Sequence, residues 1–163
     1  MLTIPPSVIR EMQDHAFACY PSECCGLLFA QDGSDEACRC VALDNQADKL
    51  HAMDPVEYPR TSRDWFAPNE AKLGRLVREA EAAGERWLAL FHSHIDCGAY
   101  FSAEDKRYAA PDGAAVYPQL YQTVIDCQPH GIVEAKTFRW DGADYVLVAT
   151  HPDFVRPRTE KRS

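Results

Sequence analysis

A run of large apolar side chains, Trp87-Leu88-Ala89-Leu90-Phe91, passes without a break into His92-Ser93-His94. That junction restricts the possible folds more than any other part of the chain. Five such residues suit a buried strand. Residues i and i+2 of a strand point to the same side, so both imidazoles can face one point at the strand's end. Cys97-Gly98 then signals a turn, and Ser102-Ala103-Glu104-Asp105 reads as a helix start with Ser102 as N-cap. Ser102 and Asp105 are three apart, so both can face the same point from the first helical turn. Two neutral imidazoles and one carboxylate with a fourth position open make the ligand set of a catalytic zinc site, with Ser102 as a polar helper beside it.

Each half alone has a plainer reading. A His-Ser-His triplet is also what a polar strand end looks like, and Ser-x-x-Asp is what a capping box looks like. The order of the two, just behind a buried strand, favours a metal. Ligation and capping are expected to compete for Asp105, because a carboxylate turned towards a metal is turned away from its own helix.

His-Ser-His, seven residues, Ser, two residues and Asp resembles the motif of the JAMM metallopeptidases, the catalytic branch of the MPN domains. That family also carries a glutamate just before an apolar strand, and Glu23 stands so in Pro21-Ser22-Glu23-Cys24-Cys25-Gly26-Leu27-Leu28-Phe29. The resemblance covers roughly residues 1 to 149 and is closest to the short stand-alone bacterial members. Ile95 departs from it, since many relatives carry proline there; that concerns loop shape rather than ligation. The resemblance implies a single MPN domain of α/β class, a mixed sheet flanked by helices and similar to cytidine deaminases. The deaminase chemistry itself is excluded, since no His-x-Glu with a later Pro-Cys-x-x-Cys is present. It further implies zinc held by His92, His94 and Asp105, Glu23 as general base, and Ser102 as hydrogen-bond donor to the oxyanion. The implied reaction is hydrolysis after the C-terminal Gly-Gly of a ubiquitin-like, β-grasp protein or sulfur carrier. The alternative is a catalytically silent MPN scaffold that holds such a partner. Silent domains typically lack a ligand position, and here all five positions are filled.

Length and charge add limits. At 163 residues the chain is read as one domain, residues 1–150, followed by a flexible tail, 151–163. The net charge of −8 argues against a nucleic-acid binder, which would show a basic face. No apolar run of about 18 residues predicts a membrane helix, and no signal peptide is evident at the start. The chain is therefore expected to be cytoplasmic. Its seven cysteines are then expected to be reduced, mostly as small buried hydrophobes. Cys24-Cys25 and Cys38-x-Cys40 lack the Cys-x-x-Cys spacing of a zinc knuckle. Cys97 lies between the histidines and Ser102 and is read as an inert loop thiol. A cysteine hydrolase would need one Cys paired with a His, and nothing singles one out.

In chain order, Pro5 and Pro6 open a helix whose Val8, Ile9, Met12, Ala16 and Cys19 form an apolar face. It ends before Pro21. Cys25 to Ala30 and Ala37 to Leu43 read as antiparallel strands around the turn Gln31-Asp32-Gly33-Ser34. Asp44 to Pro68 is a long polar connection with room for one short strand and one helical turn. Its Tyr58, Trp65 and Phe66 either line a substrate groove or anchor the loop, and His51 has no partner by spacing. Asn69 to Gly84 predicts a helix with Leu73, Leu76, Val77 and Ala80 on one face. Tyr121 to Cys127 reads as a strand, and Ile132 to Trp140 with Tyr145 to Thr150 as a hairpin across Asp141-Gly142.

Overall fold

A computed structural model of the protein describes residues 1–159. Strand β1 (Cys25–Gln31) is its axis. Leu28 and Ala30 face a cluster built with Val8, Ile9, Met12 and Ala16 of helix α1 (Pro6–Cys19). Cys25, Leu27 and Phe29 face the opposite cluster, with Leu73 and Ala80 of helix α3 (Glu70–Ala82). A strand apolar on both sides must lie inside a sheet with a layer on each face, and the period of two supplies both faces.

Among the described residues the sheet has seven strands. Six run in the order β2 (Arg39–Leu43), β1, β3 (Glu85–Ile95), β4 (Tyr121–Gln128), β5 (Gly131–Trp140), β6 (Tyr145–Thr150). β3 and β4 pair in parallel, and every other pairing is antiparallel. Helix α4 (Ala103–Ala109) lies in the parallel crossover, and its Tyr108 packs on the α3-side cluster. Gly26 fixes the β1–β3 register. It stands opposite Phe91, and a Cβ there would overlap the Phe91 ring and come within 2.7 Å of the Val41 carbonyl oxygen. That register puts Cys25 opposite His92, two residues from Glu23.

One irregularity decides which way the histidines point. Phe29 pairs with Trp87 and Leu28 with Ala89, so Leu88 is an extra residue in β3. Beyond this bulge Leu90 falls in the α3-side cluster, while Ala89 and Phe91 fall in the α1-side cluster. His92 and His94 follow Leu90 at intervals of two and share its face.

The predicted elements form close to their expected bounds. The 44–68 connection holds helix α2 (Ala47–Met53) and, among the described residues, no strand. Phe66 is buried in the α3-side cluster and anchors the loop. The expected frayed tail is corrected in its first part. Pro152–Phe154 form a turn of 3-10 helix, Phe154 is fully buried against α1, and β7 (Arg156–Pro157) pairs with β5. The prolines suggested fraying, but one aromatic ring supplies the apolar area that the short segment otherwise lacks. Residues 160–163 lie outside the described residues. No helix is long and apolar enough to cross a membrane, among the described residues.

Truncating a fully buried phenylalanine typically costs about 3–5 kcal/mol. Phe154→Ala is expected to lose stability on that scale in urea unfolding. A change below about 1 kcal/mol would return the segment to the status of a loose tail.

Candidate metal centre

The end of β3 and the start of α4 meet on the α3 face of the sheet. His92 Nε2 and His94 Nε2 are 3.2 Å apart. Asp105 Oδ1 lies 3.1 Å from the first and Oδ2 3.2 Å from the second. All three residues are buried, and together they form the one group of three or more potential metal ligands among the described residues. Tetrahedral zinc with bonds near 2.0–2.1 Å holds its ligand atoms about 3.3 Å apart. Two imidazole nitrogens 3.2 Å apart, each with one oxygen of the same carboxylate at 3.1–3.2 Å, therefore match the spacing around a single small ion. The set of two nitrogens and one carboxylate, with no fourth protein ligand, suits zinc.

The rings are held from behind. His94 Nδ1–H donates to the Gly98 carbonyl at 2.9 Å, which leaves the Nε2 lone pair facing the site. His92 stacks on Phe66 with ring centroids 4.4 Å apart. Its Nδ1 is buried and makes no hydrogen bond. On the side away from Asp105, stacking and not a hydrogen bond holds this ring.

Asp105 both caps and faces the histidines, so the expected competition does not arise. Ser102 N–H donates to Asp105 Oδ2 at 2.7 Å, and Asp105 N–H donates to Ser102 Oγ at 3.1 Å, a complete capping box. A carboxylate has two oxygens and about four lone-pair directions. Asp105 can therefore cap its helix with Oδ2 and still present both oxygens to the histidines. Burial pushes its carboxyl up, but the charge and hydrogen bonds of His92 and His94 outweigh it and hold the group well below the usual carboxylate range.

Glu23 lies on the same cleft, a hollow of about 820 Å³ that also exposes His94, Ser102 and Asp105. It is 5% exposed, and no described residue hydrogen-bonds to its carboxyl. Burial, then the charges of Asp105 and Asp64, push it up to about 9, against a smaller opposite pull from Arg60. Ser102 Oγ is an acceptor in the capping box and keeps its own proton free to donate. All five residues singled out in the sequence thus come together.

What the sequence did not reveal is the framework behind Glu23. Asn45 donates to the carbonyls of Glu23 (3.0 Å) and Trp65 (2.9 Å) and accepts from the N–H groups of Ala47 and Ala67. Glu23 N–H donates to the Ser62 carbonyl, and Asp48 accepts from both the N–H and the hydroxyl of Ser62. Asn45 is a turn-prone residue at a strand end, and nothing in its neighbours indicates four backbone partners. Of the loop aromatics, Trp65 lines the cleft and stacks on Tyr58. His51 is bonded to the Tyr58 carbonyl and lies away from the ligands. Cys97 lines the cleft with an exposed thiol that burial, more than any nearby group, pushes up, which disfavours the reactive thiolate. The buried Cys25 is pushed up to about 12 in the same way.

Comparison with known proteins agrees with this fold. The family model described as prokaryotic homologs of the JAB domain matches residues 5–152. No curated protein matches. A solution structure from Desulfitobacterium hafniense is similar at 26% identity over 90% of both chains, with a TM-score of 0.61. A second, from Salinibacter ruber, has 18% identity, covers 93% of this chain and 97% of that one, and has a TM-score of 0.53. A crystal structure of a JAB1/MPN domain protein from Archaeoglobus fulgidus has 15% identity over 89% and 93%, with a TM-score of 0.50. At these two lower identities the likeness shows the fold alone.

Two outcomes are expected. The protein should bind one zinc ion per chain by elemental analysis, and His94→Ala should bind none. In the metal-free protein Glu23 holds its proton in the fold up to about pH 9 but loses it near 4.5 when unfolded. Stability should therefore fall as pH rises from about 4.5 towards 9. Glu23→Gln should remove that fall, equalling wild type near pH 4 and exceeding it at pH 8 in chelator-treated samples. Parallel stability profiles would refute the buried-acid assignment.

Proposed function

The chain belongs to the family of prokaryotic homologs of the JAB domain, and from that premise we propose that it is a zinc-dependent peptidase or isopeptidase. The observation that carries the proposal is the convergence of His92, His94 and Asp105, the last two lining a cleft that also holds a buried, unbonded glutamate and a capping serine.

Zinc at His92, His94 and Asp105 would supply Lewis acidity, polarising a carbonyl and lowering the pKa of water from near 16 towards about 7. Glu23 accepts the proton of the attacking water and delivers it to the leaving amine. Its surroundings favour the protonated form. A dication nearby shifts that balance towards the carboxylate, so the group can both take and return a proton. Ser102 donates its free hydroxyl proton to the carbonyl oxygen as negative charge develops there. Asp105 and Gly98 keep the imidazoles aimed, and Phe66 excludes water from one face of His92.

For the substrate we propose the C-terminal Gly-Gly of a ubiquitin-like, β-grasp protein or sulfur carrier. Hydrolysis after it would trim a precursor or release a conjugate. Glycine suits a backbone that must pass close to a buried metal. The family assignment and the open cleft support this reading. Arg60, Arg63, Asp64 and Glu104 give the cleft rim both signs of charge, so no strongly basic or acidic substrate is favoured.

The test is intact-mass spectrometry of several ubiquitin-like proteins and sulfur carriers, each extended beyond Gly-Gly, after incubation with zinc-loaded protein. Wild type is expected to cut after Gly-Gly. Glu23→Gln should keep its zinc and release no product, and Ser102→Ala should be about 100- to 1000-fold slower. Undiminished hydrolysis by Glu23→Gln would remove Glu23 from the mechanism. No cleavage of any carrier with zinc bound would favour the silent scaffold.

A further inference from the structure

Behind the metal site, on the same face of the sheet, lies a separate cavity of about 200 Å³. Its walls are Leu73 of α3, Trp87 and Leu90 of β3, Tyr108 of α4, and Tyr117 and Leu120 from the loop that follows α4. One polar side chain from inside the sheet reaches it, that of Gln122 on β4. Gln122 is 5% exposed, and its carboxamide makes no hydrogen bond to any described residue. It sits in strand register with Leu90 and between Leu120 and Val124, which are both apolar and fully enclosed. Packing alone would place another leucine or valine there. Its carboxamide faces the cavity and not packed side chains, so a partner for it enters from there.

We propose that this cavity is a binding site for a small uncharged aromatic molecule carrying one carboxamide or lactam group. The size follows from the volume, since a cavity of about 150 Å³ takes a benzene ring; about 200 Å³ adds room for one amide. The amide follows from Gln122, which has a donor and an acceptor side by side and is matched by a group with the same pair. Neutrality follows from the apolar walls, where a charge is costly to bury; at the rim the Glu70 carboxylate, which accepts a 2.9 Å hydrogen bond from the Tyr108 hydroxyl, further repels an anion.

The cavity borders the metal site through stacked rings. Tyr108 lies edge-on to Phe66 at 5.2 Å, and Phe66 stacks on His92 at 4.4 Å. An occupant therefore touches the first ring of a row that ends on a metal ligand, while the cavity itself lies outside the catalytic cleft.

The experiment is a titration of the full chain with benzamide, followed by calorimetry and by the three tryptophan indole N–H signals in NMR. Benzamide is expected to shift the indole signal of Trp87, which lines the cavity, and to leave that of Trp65 in the cleft in place. Benzoate should bind at least 10-fold more weakly. Gln122→Leu and Gln122→Met should each weaken benzamide by about 10-fold or more, keep toluene binding, and melt no lower than wild type. Two variants guard against one that fails to fold. No binding of benzamide at about 10 mM, equal binding by wild type and both variants, or a shift of Trp65 instead of Trp87 would each overturn the site. Binding is read without turnover, so the outcome is independent of whether the zinc peptidase reading holds.

Discussion

The molecule depends on one contact, that of two imidazoles with a single buried carboxylate. Burying Asp105 alone would cost several kcal/mol. Here each of its oxygens meets an imidazole nitrogen at 3.1–3.2 Å, and a backbone N–H from its own helix adds a further bond. The contact joins the end of β3 to the start of α4, and so ties the sheet to the crossover that leads into its parallel partner strand. α4 has seven residues, too few to hold a helix by propensity alone. Its capping box and its attachment to the histidines compensate.

The second half of the site is held differently. Glu23 comes from the segment before β1, which has no helix dipole or ion pair to fix it. Its backbone is fixed instead by Asn45 and Ser62, so the long 44–68 connection acts as the back wall of the acid. The loop's rim contacts are weaker. Arg60 reaches Glu104 at 3.4 Å and Arg63 reaches Asp96 at 3.5 Å, both partly exposed pairs of the kind worth at most about 1 kcal/mol. The loop is thus firm at its root, where the acid needs positioning, and loosely tied where substrate enters.

Much of this was legible in the sequence because it depends on local periodicity. The apolar faces of α1 and α3, the double-sided burial of β1 and the spacing of His92, His94, Ser102 and Asp105 are all properties of short segments. The bulge at Leu88 was not legible. Counting by twos from Trp87 puts the histidines on the wrong face, and only pairing with β1 reveals the extra residue. Asn45, Gly26 and Phe154 were missed for the same reason, since each acts through a partner distant in the chain. The dual role of Asp105 was misread because capping and ligation were treated as one direction, whereas a carboxylate offers two oxygens.

The two carboxyl groups of the cleft give the strongest argument for chemistry over mere binding. Asp105 and Glu23 are both buried and share one hollow, yet their surroundings push them in opposite directions. Asp105, between two imidazoles, is held ionised and suits a ligand. Glu23, with no donor on its carboxyl and the Asp105 charge nearby, is pushed towards the neutral acid and suits proton transfer. Under the proposed function the glutamate is kept for proton transfer, where an apolar residue would carry no desolvation cost. Carboxyl groups divided in this way by their environment suit the acid–base role proposed for Glu23, and the division arises from where β1, β3 and α4 end.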